Sequence, residues 1–355
     1  MRILRIGAAA SFLGIAFIVS GVAPDFPPVR SVSWAVQSSG TTESLRGLSV
    51  VDERTAWASG TKGTVLRTTD GGTTWTAVPV PGAEAVDFRD IEAFGAEAAV
   101  IMGVGQPARM FRTDDGGQTW VQTYLNDAPG IFLDAMAFYD DKNGLAVGDP
   151  MDGRFFLIRT ADGGKTWMPL PPESRPSALD GEAAFAASGT ALFAQGENRA
   201  WFCTGGTVSR VWRSLDRGER WEAVSSALRE GTPSTGGFSV FFFNDSAGIV
   251  VGGDYRDEPA AASSAAVSGD GGKTWTPVPG RPPGGFREAV AAAPGTASPT
   301  AVAVGPSGSD YSPDLGKSWT PVPGPEGFHT LCFAKKGRAA WAAGRNGLVA
   351  KLEFR

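Results

Sequence analysis

The side chains best suited to chemistry in this chain stand at the start of short apolar runs. They are Arg46 in Leu45-Arg46, Arg89 in Phe88-Arg89, Asp134 in Phe132-Leu133-Asp134, Glu182 in Gly181-Glu182, Arg287 in Phe286-Arg287 and the only histidine, His329, in Phe328-His329. Guanidinium groups in a concave, partly dry setting bind carboxylate or phosphate through a planar fork of donors. Glu182 with Asp134, Asp149 or Asp254 could instead supply the two carboxylates of glycoside cleavage. His329 is weaker evidence, since a single histidine is more often a hydrogen-bonded structural residue than a general base. Two further groups lie in GDPMDGRF, with Asp149, Asp152 and Arg154, and in GGDYRDEP, with Asp254, Tyr255 and Arg256. Both segments depart from the pattern of their neighbours, and such departures mark candidate sites.

That pattern is an internal repeat. The octapeptide [ST]-x-D-x-G-x-[TSR]-W occurs six times, from TTDGGTTW at Thr68–Trp75 to SPDLGKSW at Ser312–Trp319. Its aspartates, Asp70, Asp115, Asp162, Asp216, Asp270 and Asp314, recur every 44 to 54 residues, the length of a four-stranded propeller blade. A carboxylate present in every repeat is expected to be structural: Asp bonds nearby backbone N–H groups of a hairpin turn, and Gly supplies a positive-φ position. Before each box come an apolar run, a polar turn, a second run ending in Gly and a third strand, as in LRGLSVVDERTAWASGTKGTVLRT. A last copy, CFAKKGRAAWAAGRNGLVAKL, has no box, and SVSWAVQ at Ser31–Gln37 is the expected donor of its outer strand. The reading is an all-β, seven-bladed propeller over residues 31–355, with its ring closed by the N-terminal strand.

In such a blade the first strand lines a central channel, and its start shares a face with the loop after the second strand. The boxes join strands three and four and lie on the opposite face. Arg46, Arg89, Glu182, Arg287, His329, Asp149, Arg154, Asp254 and Tyr255 are thereby expected to converge on one channel mouth as a partner- or anion-binding site. No catalytic residue, metal ligand or cofactor is assigned.

The first residues, MRILRIGAAASFLGIAFIVSGVAP, have an Arg-bearing start and an apolar stretch, the layout of a secretory signal. Residues 1–23 are read as a cleaved signal or retained anchor and 24–30 as a linker, so the protein is expected to be periplasmic or otherwise extracytoplasmic. The net charge of −5 argues against nucleic acid. Cys203 and Cys332 fall in non-adjacent repeats, too far apart to bridge.

The boxed blades resemble the bacterial neuraminidase repeat superfamily, and their second strands and T-x-D-G-G-x-T-W boxes look most like the photosystem II stability and assembly factor family. The resemblance covers about residues 31–355. It implies a seven-bladed, non-catalytic propeller that holds membrane-protein subunits during assembly, with Arg46, Arg89 and Arg287 similar to a partner-binding arginine patch. The expected partner of a monomeric chain is therefore a protein, such as a membrane-protein subunit or an acidic peptide, with a small anionic ligand as the variant. The competing class is a glycoside hydrolase. Sialidases share an early Phe-Arg-Ile-Pro motif, where this chain has Phe88-Arg89-Asp90-Ile91, and xyloglucanases pair two propellers where this chain has room for one.

Overall fold

A computed structural model describes residues 31–293, 299–335 and 337–354. Seven antiparallel sheets follow one another around a channel. The inner strands of blades 1 to 7 are Leu45–Val50, Phe88–Ala93, Leu133–Phe138, Leu192–Gln195, Thr232–Phe242, Ala289–Ala292 and Phe328–Phe333. The seven-bladed propeller read from the repeat is borne out. Residues 1–23 and 24–30 lie outside the described residues.

Blade 7 is the composite expected: Val32–Gln37 pairs antiparallel with Val349–Phe354, with Val32 opposite Phe354 and Gln37 opposite Val349. Gln37 Oε1 accepts from Trp341 Nε1 at 2.9 Å within blade 7 and from Trp75 Nε1 at 3.0 Å in blade 1. Trp34 Nε1 donates to Ser309 Oγ of blade 6 at 2.8 Å. One strand thus ties three blades.

Two local rules set the channel mouth. The inner strands of blades 1, 2, 3, 5 and 7 each carry a register shift near their start, at Arg46, Arg89, Asp134, Phe238 and His329. A bulge re-aims its extra side chain and bends the strand. The second rule is a glycine late in the second strand of blades 1, 3, 5, 6 and 7. A Cβ on Gly60, Gly148, Gly252, Gly305 or Gly344 would fall against the carbonyl oxygen of Ser44, Phe132, Gly236, Phe286 or Gly327, where the neighbouring inner strand begins. These glycines are required by close approach of backbone, not by a left-handed φ.

Blade 4 breaks the second rule and corrects the sequence reading. Its second strand, Arg199–Cys203, runs on into Thr204 rather than glycine. Its inner strand starts at Leu192, ten residues after Glu182. Glu182–Ala183 instead pairs with Gly205–Gly206, which in turn joins the long inner strand of blade 5. Residues 184–191 are left over from the repeat and cross the mouth.

The core lies between blades. Trp57 of blade 1 and Phe88 and Ile101 of blade 2 share one buried cluster, with Trp120 packed edge-on at 6.4 Å from Trp57. Along the channel, inner-strand polar groups accept from the next blade's amides: Ser49 Oγ from Ala93 N, Asp90 Oδ2 from Met136 N at 2.6 Å, Ser239 Oγ from Val290 N.

Candidate functional site

The six boxes share one geometry. In the first, Asp70 Oδ1 accepts from Thr68 Oγ1 and Thr74 N at 2.9 Å, Oδ2 accepts from Thr74 Oγ1 at 2.6 Å, and Thr68 Oγ1 accepts from Gly72 N. The same bonds recur about Asp115, Asp162, Asp270 and Asp314, while Asp216 lacks the hydroxyl partner because Arg220 replaces the Thr. The Thr74 hydroxyl and amide hold Asp70 down to about 2, and those of Thr119 do the same for Asp115. All six carboxylates face the outer turns, away from the mouth.

At the mouth the structure brings Arg46, Arg89, Asp149, Tyr255 and His329 around residues 184–191. Arg89 Nη1 donates to Ala186 O at 2.8 Å, Arg46 Nη1 to Ala187 O at 3.3 Å, and Thr330 Oγ1 to Ser188 O at 3.0 Å. Three consecutive carbonyls are thus held by three different blades. Val240 N donates to Thr190 O, and Asp149 Oδ1 accepts from Ala184 N at 3.1 Å. Phe185 stacks on Phe238 at 4.0 Å and 4° and meets the edge of Tyr255, which is 41% exposed. Ser188, Gly189 and Thr190 also line a channel cavity of about 450 Å³, together with Met136, Phe138, Phe193 and Phe241 and the polar Asp90 and Lys335.

The charges are paired within the mouth itself. Arg89 bonds Asp87 through Nε and Nη2, at 2.9 Å each. Arg46 lies 3.7 Å from Glu288, whose other neighbour is His329 Nδ1 at 2.7 Å, buried. Asp254 is buried, accepts from Arg256 N and faces Arg229 at 3.6 Å. Asp149 is pushed up to about 6 by burial, against the pull of the Ala184 amide. Beneath the crossing segment Asp134 is fully buried, and neither carboxylate oxygen makes a hydrogen bond of ordinary geometry. Burial together with Asp149 raises it well above the usual range, against a weaker pull from Arg89 and the Ala186 amide.

Three predicted residues are placed otherwise than expected. Arg287 is 2% exposed and sits on Asp310, with Nε and Nη2 donating to Oδ2 at 2.8 and 2.5 Å and Nη1 donating to Phe286 O and Ser307 Oγ. Its guanidinium is spent inside blade 6 and presents no fork to a ligand. Glu182 is buried under Arg210, accepts from Thr204 Oγ1 at 2.6 Å and from Leu179 N, and staples blade 4 to the crossing segment. Arg154 lies at the outer rim, donating to Arg175 O at 2.8 Å. Of the carboxylates weighed for glycoside cleavage, Glu182 and Asp134 are buried and Asp149 and Asp254 bond the chain's own amides, so none of these pairs faces an open groove.

Sequence reasoning missed the crossing segment and Asp90. The signal for the first was weak: the interval between Asp162 and Asp216 is 54 residues, where the two before it are 45 and 47, but the one after it is also 54. Asp90 stands one place after Arg89 and is wholly buried, pinning blade 3 to blade 2. Among the described residues no group of three His, Cys, Asp or Glu side chains is arranged to hold a metal ion. Cys203 and Cys332 are free thiols.

Boxes, closing strand and blade count define the class: an Asp-box propeller of seven blades. Residues 26–132, spanning the closing strand and blades 1 and 2, match the family model of the photosynthesis system II assembly factor YCF48, which bears out the resemblance drawn from the boxes. No curated protein matches the chain. Among solved structures, the chain is similar to YCF48 bound to D1 peptide, at 18% identity and a TM-score of 0.61 over 93% of this chain and 96% of that one. YCF48 from Cyanidioschyzon merolae matches at 18% identity and a TM-score of 0.57, over 90% and 98% of the two chains. Virginiamycin B lyase from Staphylococcus aureus, in a catalytically inactive form with quinupristin, matches at 14% and 0.63 over 91% and 99%. At such identities these structures share the fold, and fold alone does not carry function. The chain is a seven-bladed Asp-box propeller with the fold of these structures, and its closing strand and first two blades match the assembly-factor model.

Proposed function

We propose that this protein is an exported, non-catalytic scaffold that holds a partner protein at the channel mouth by an extended segment of its chain. The observation that carries the reading is the grip on successive main-chain carbonyls by Arg89, Arg46 and Thr330. Donors arrayed against consecutive carbonyls recognise backbone, with affinity from hydrogen bonds and specificity from side-chain pockets. The D1 peptide of the YCF48 complex supports a peptide as the ligand class. Residues 1–23 supply the export half of the proposal, as a signal or an anchor.

The test is capture of the partner by the tagged full-length protein from solubilised membranes of its own host, beside the Arg46→Glu, Arg89→Glu variant. A protein enriched by the parent and reduced at least about tenfold by the variant is the expected result, that factor corresponding to about 1.4 kcal/mol. If the parent enriches nothing, the scaffold reading falls.

A further inference from the structure

We infer that residues 184–191 are a self-ligand, occupying the groove that takes the partner's segment, so that the preferred partner sequence is an aromatic residue followed by small residues. The inference rests on the scaffold reading above for its partner and on the geometry of the segment for its chemistry.

The segment behaves as a bound peptide, not as part of a blade. Blade 4 is complete without it, with four strands running Leu192–Gln195, Arg199–Cys203, Arg210–Ser214 and Glu222–Ser225. Its main chain is held by blades 1, 2, 3, 5 and 7, Ser188 Oγ donates to Glu288 O at the start of blade 6, and only its last carbonyl, Ala191 O, returns to blade 4 through Cys203 N at 3.0 Å. The side-chain requirements can be read position by position. Phe185 fills an aromatic slot between Phe238 and Tyr255. Ala187 packs into the small cluster of Phe238 and Phe286. Gly189 has φ +75°, and a Cβ there would strike the Asp90 carboxylate, so a glycine is needed. The consensus is therefore aromatic, small, small, small, Gly.

A second observation indicates that the present occupant is an imperfect one. Asp134, fully buried against the segment, has only the Ala186 amide of the segment as a backbone donor, and in poor geometry, so neither oxygen makes a well-formed hydrogen bond. Buried polar atoms are almost always satisfied, and an orphan at a site points to a group not in place. A partner segment that brings a well-aligned hydrogen-bonding group to Asp134 binds better than the self segment by satisfying it. Because the groove is already filled, the apparent affinity for any competitor is lowered by the fraction of molecules whose segment has lifted.

The probe is a fluorescein-labelled nonapeptide, Ala-Ala-Phe-Ala-Ala-Ser-Gly-Thr-Ala, the sequence of residues 183–191. Gly189→Val prevents the self segment from seating and leaves the groove's own donors in place. The variant is expected to bind the peptide at least about tenfold more tightly than the parent, and to lose that gain when the peptide's Phe is replaced by Ala. A cooperatively melting Gly189→Val protein that binds no better than the parent overturns the self-ligand. Should the variant not fold, hydrogen exchange on the parent decides: a saturating peptide speeds exchange of amides 184–191 at least about tenfold if it displaces them, and unchanged rates overturn the idea. The two readings fail separately. Peptide binding by the variant, with no partner captured from membranes by either protein, leaves the self-ligand standing and removes the scaffold. Capture by the parent, with no peptide binding, does the reverse.

Discussion

Asp149 and the box aspartates are the same side chain driven in opposite directions by their surroundings. Asp70 and Asp115 accept two donors each from the turn that follows and are held at about 2, so their stabilisation is present above the unfolded value near 4 and is lost as pH falls toward 2. Asp149 is raised to about 6 by burial, so the folded state prefers it protonated. Its contribution is present below about 4 and is lost as pH rises through 6. Asp149→Asn keeps an oxygen for the Ala184 amide and removes the buried charge. The variant is expected to be more stable at pH 7 by about 1–3 kcal/mol, the gain vanishing near pH 4; thermal melts at both pH values check it. Arg287 gives the contrasting case, a charge that cannot be removed alone. Arg287→Met strands the buried Asp310 and is expected to cost about 3–5 kcal/mol by denaturant unfolding, and adding Asp310→Ala is expected to recover part of it. A double variant no more stable than the single would show that the pair is not coupled. The sequence marked Arg287 as equivalent to Arg46 and Arg89, but the register puts Glu288 at that position: a Cβ on Gly305 would meet Phe286 O as one on Gly60 would meet Ser44 O, so Arg287 stands where Leu45 does. What the spacing could not convey is that Asp310, 23 residues on, turns its carboxylate into the same blade.

The blades themselves were legible because their rules are local. A turn carboxylate, a glycine and an inward tryptophan recur at fixed offsets, and each satisfies its own requirement within eight residues. The second-strand glycine acts over one hairpin: Gly344 is expected to reject even a methyl group, since its Cβ would overlap Gly327 O, while Gly95, with nothing near its Cβ position, accepts one. Gly344→Ala should lower unfolding stability by about 1–3 kcal/mol and Gly95→Ala by much less; equal effects would refute the close-approach account. The mouth was less legible, for the converse reason. Residues 184–191 follow no repeat, and their partners Arg89, Arg46 and Thr330 lie 97 to 142 residues away. A run of Ala, Phe, Ser and Gly carries no local sign that it lies across an axis. The 54-residue interval between Asp162 and Asp216 shows that extra residues are present, but the next interval, to Asp270, is equally long, so spacing alone does not locate the segment.

At the scale of the ring, one strand decides whether seven sheets are a closed molecule or an open one. Without Val32–Gln37, the strand Val349–Phe354 becomes a bare edge, Trp75 and Trp341 lose Gln37 Oε1, and blade 6 loses Trp34. An unpaired edge of this kind is a template for association with other chains. A chain beginning at Ser38 is therefore expected to melt at a lower temperature than the parent and to form oligomers on size exclusion. The register offers a sharper test than deletion. Val32 lies opposite Phe354, so the two strands are already the arms of a hairpin that lacks only its turn. Linking Phe354 to Val32 by Asn-Gly, a dipeptide suited to a two-residue hairpin turn, and opening the chain before Ser38 gives a permuted protein in which blade 7 is one continuous meander. If strand pairing is what closes the ring, this permutant is monomeric and recovers most of the melting temperature that the truncated chain loses. A permutant as unstable as the truncation would mean that the order of the chain, and not the pairing of its ends, holds the propeller shut.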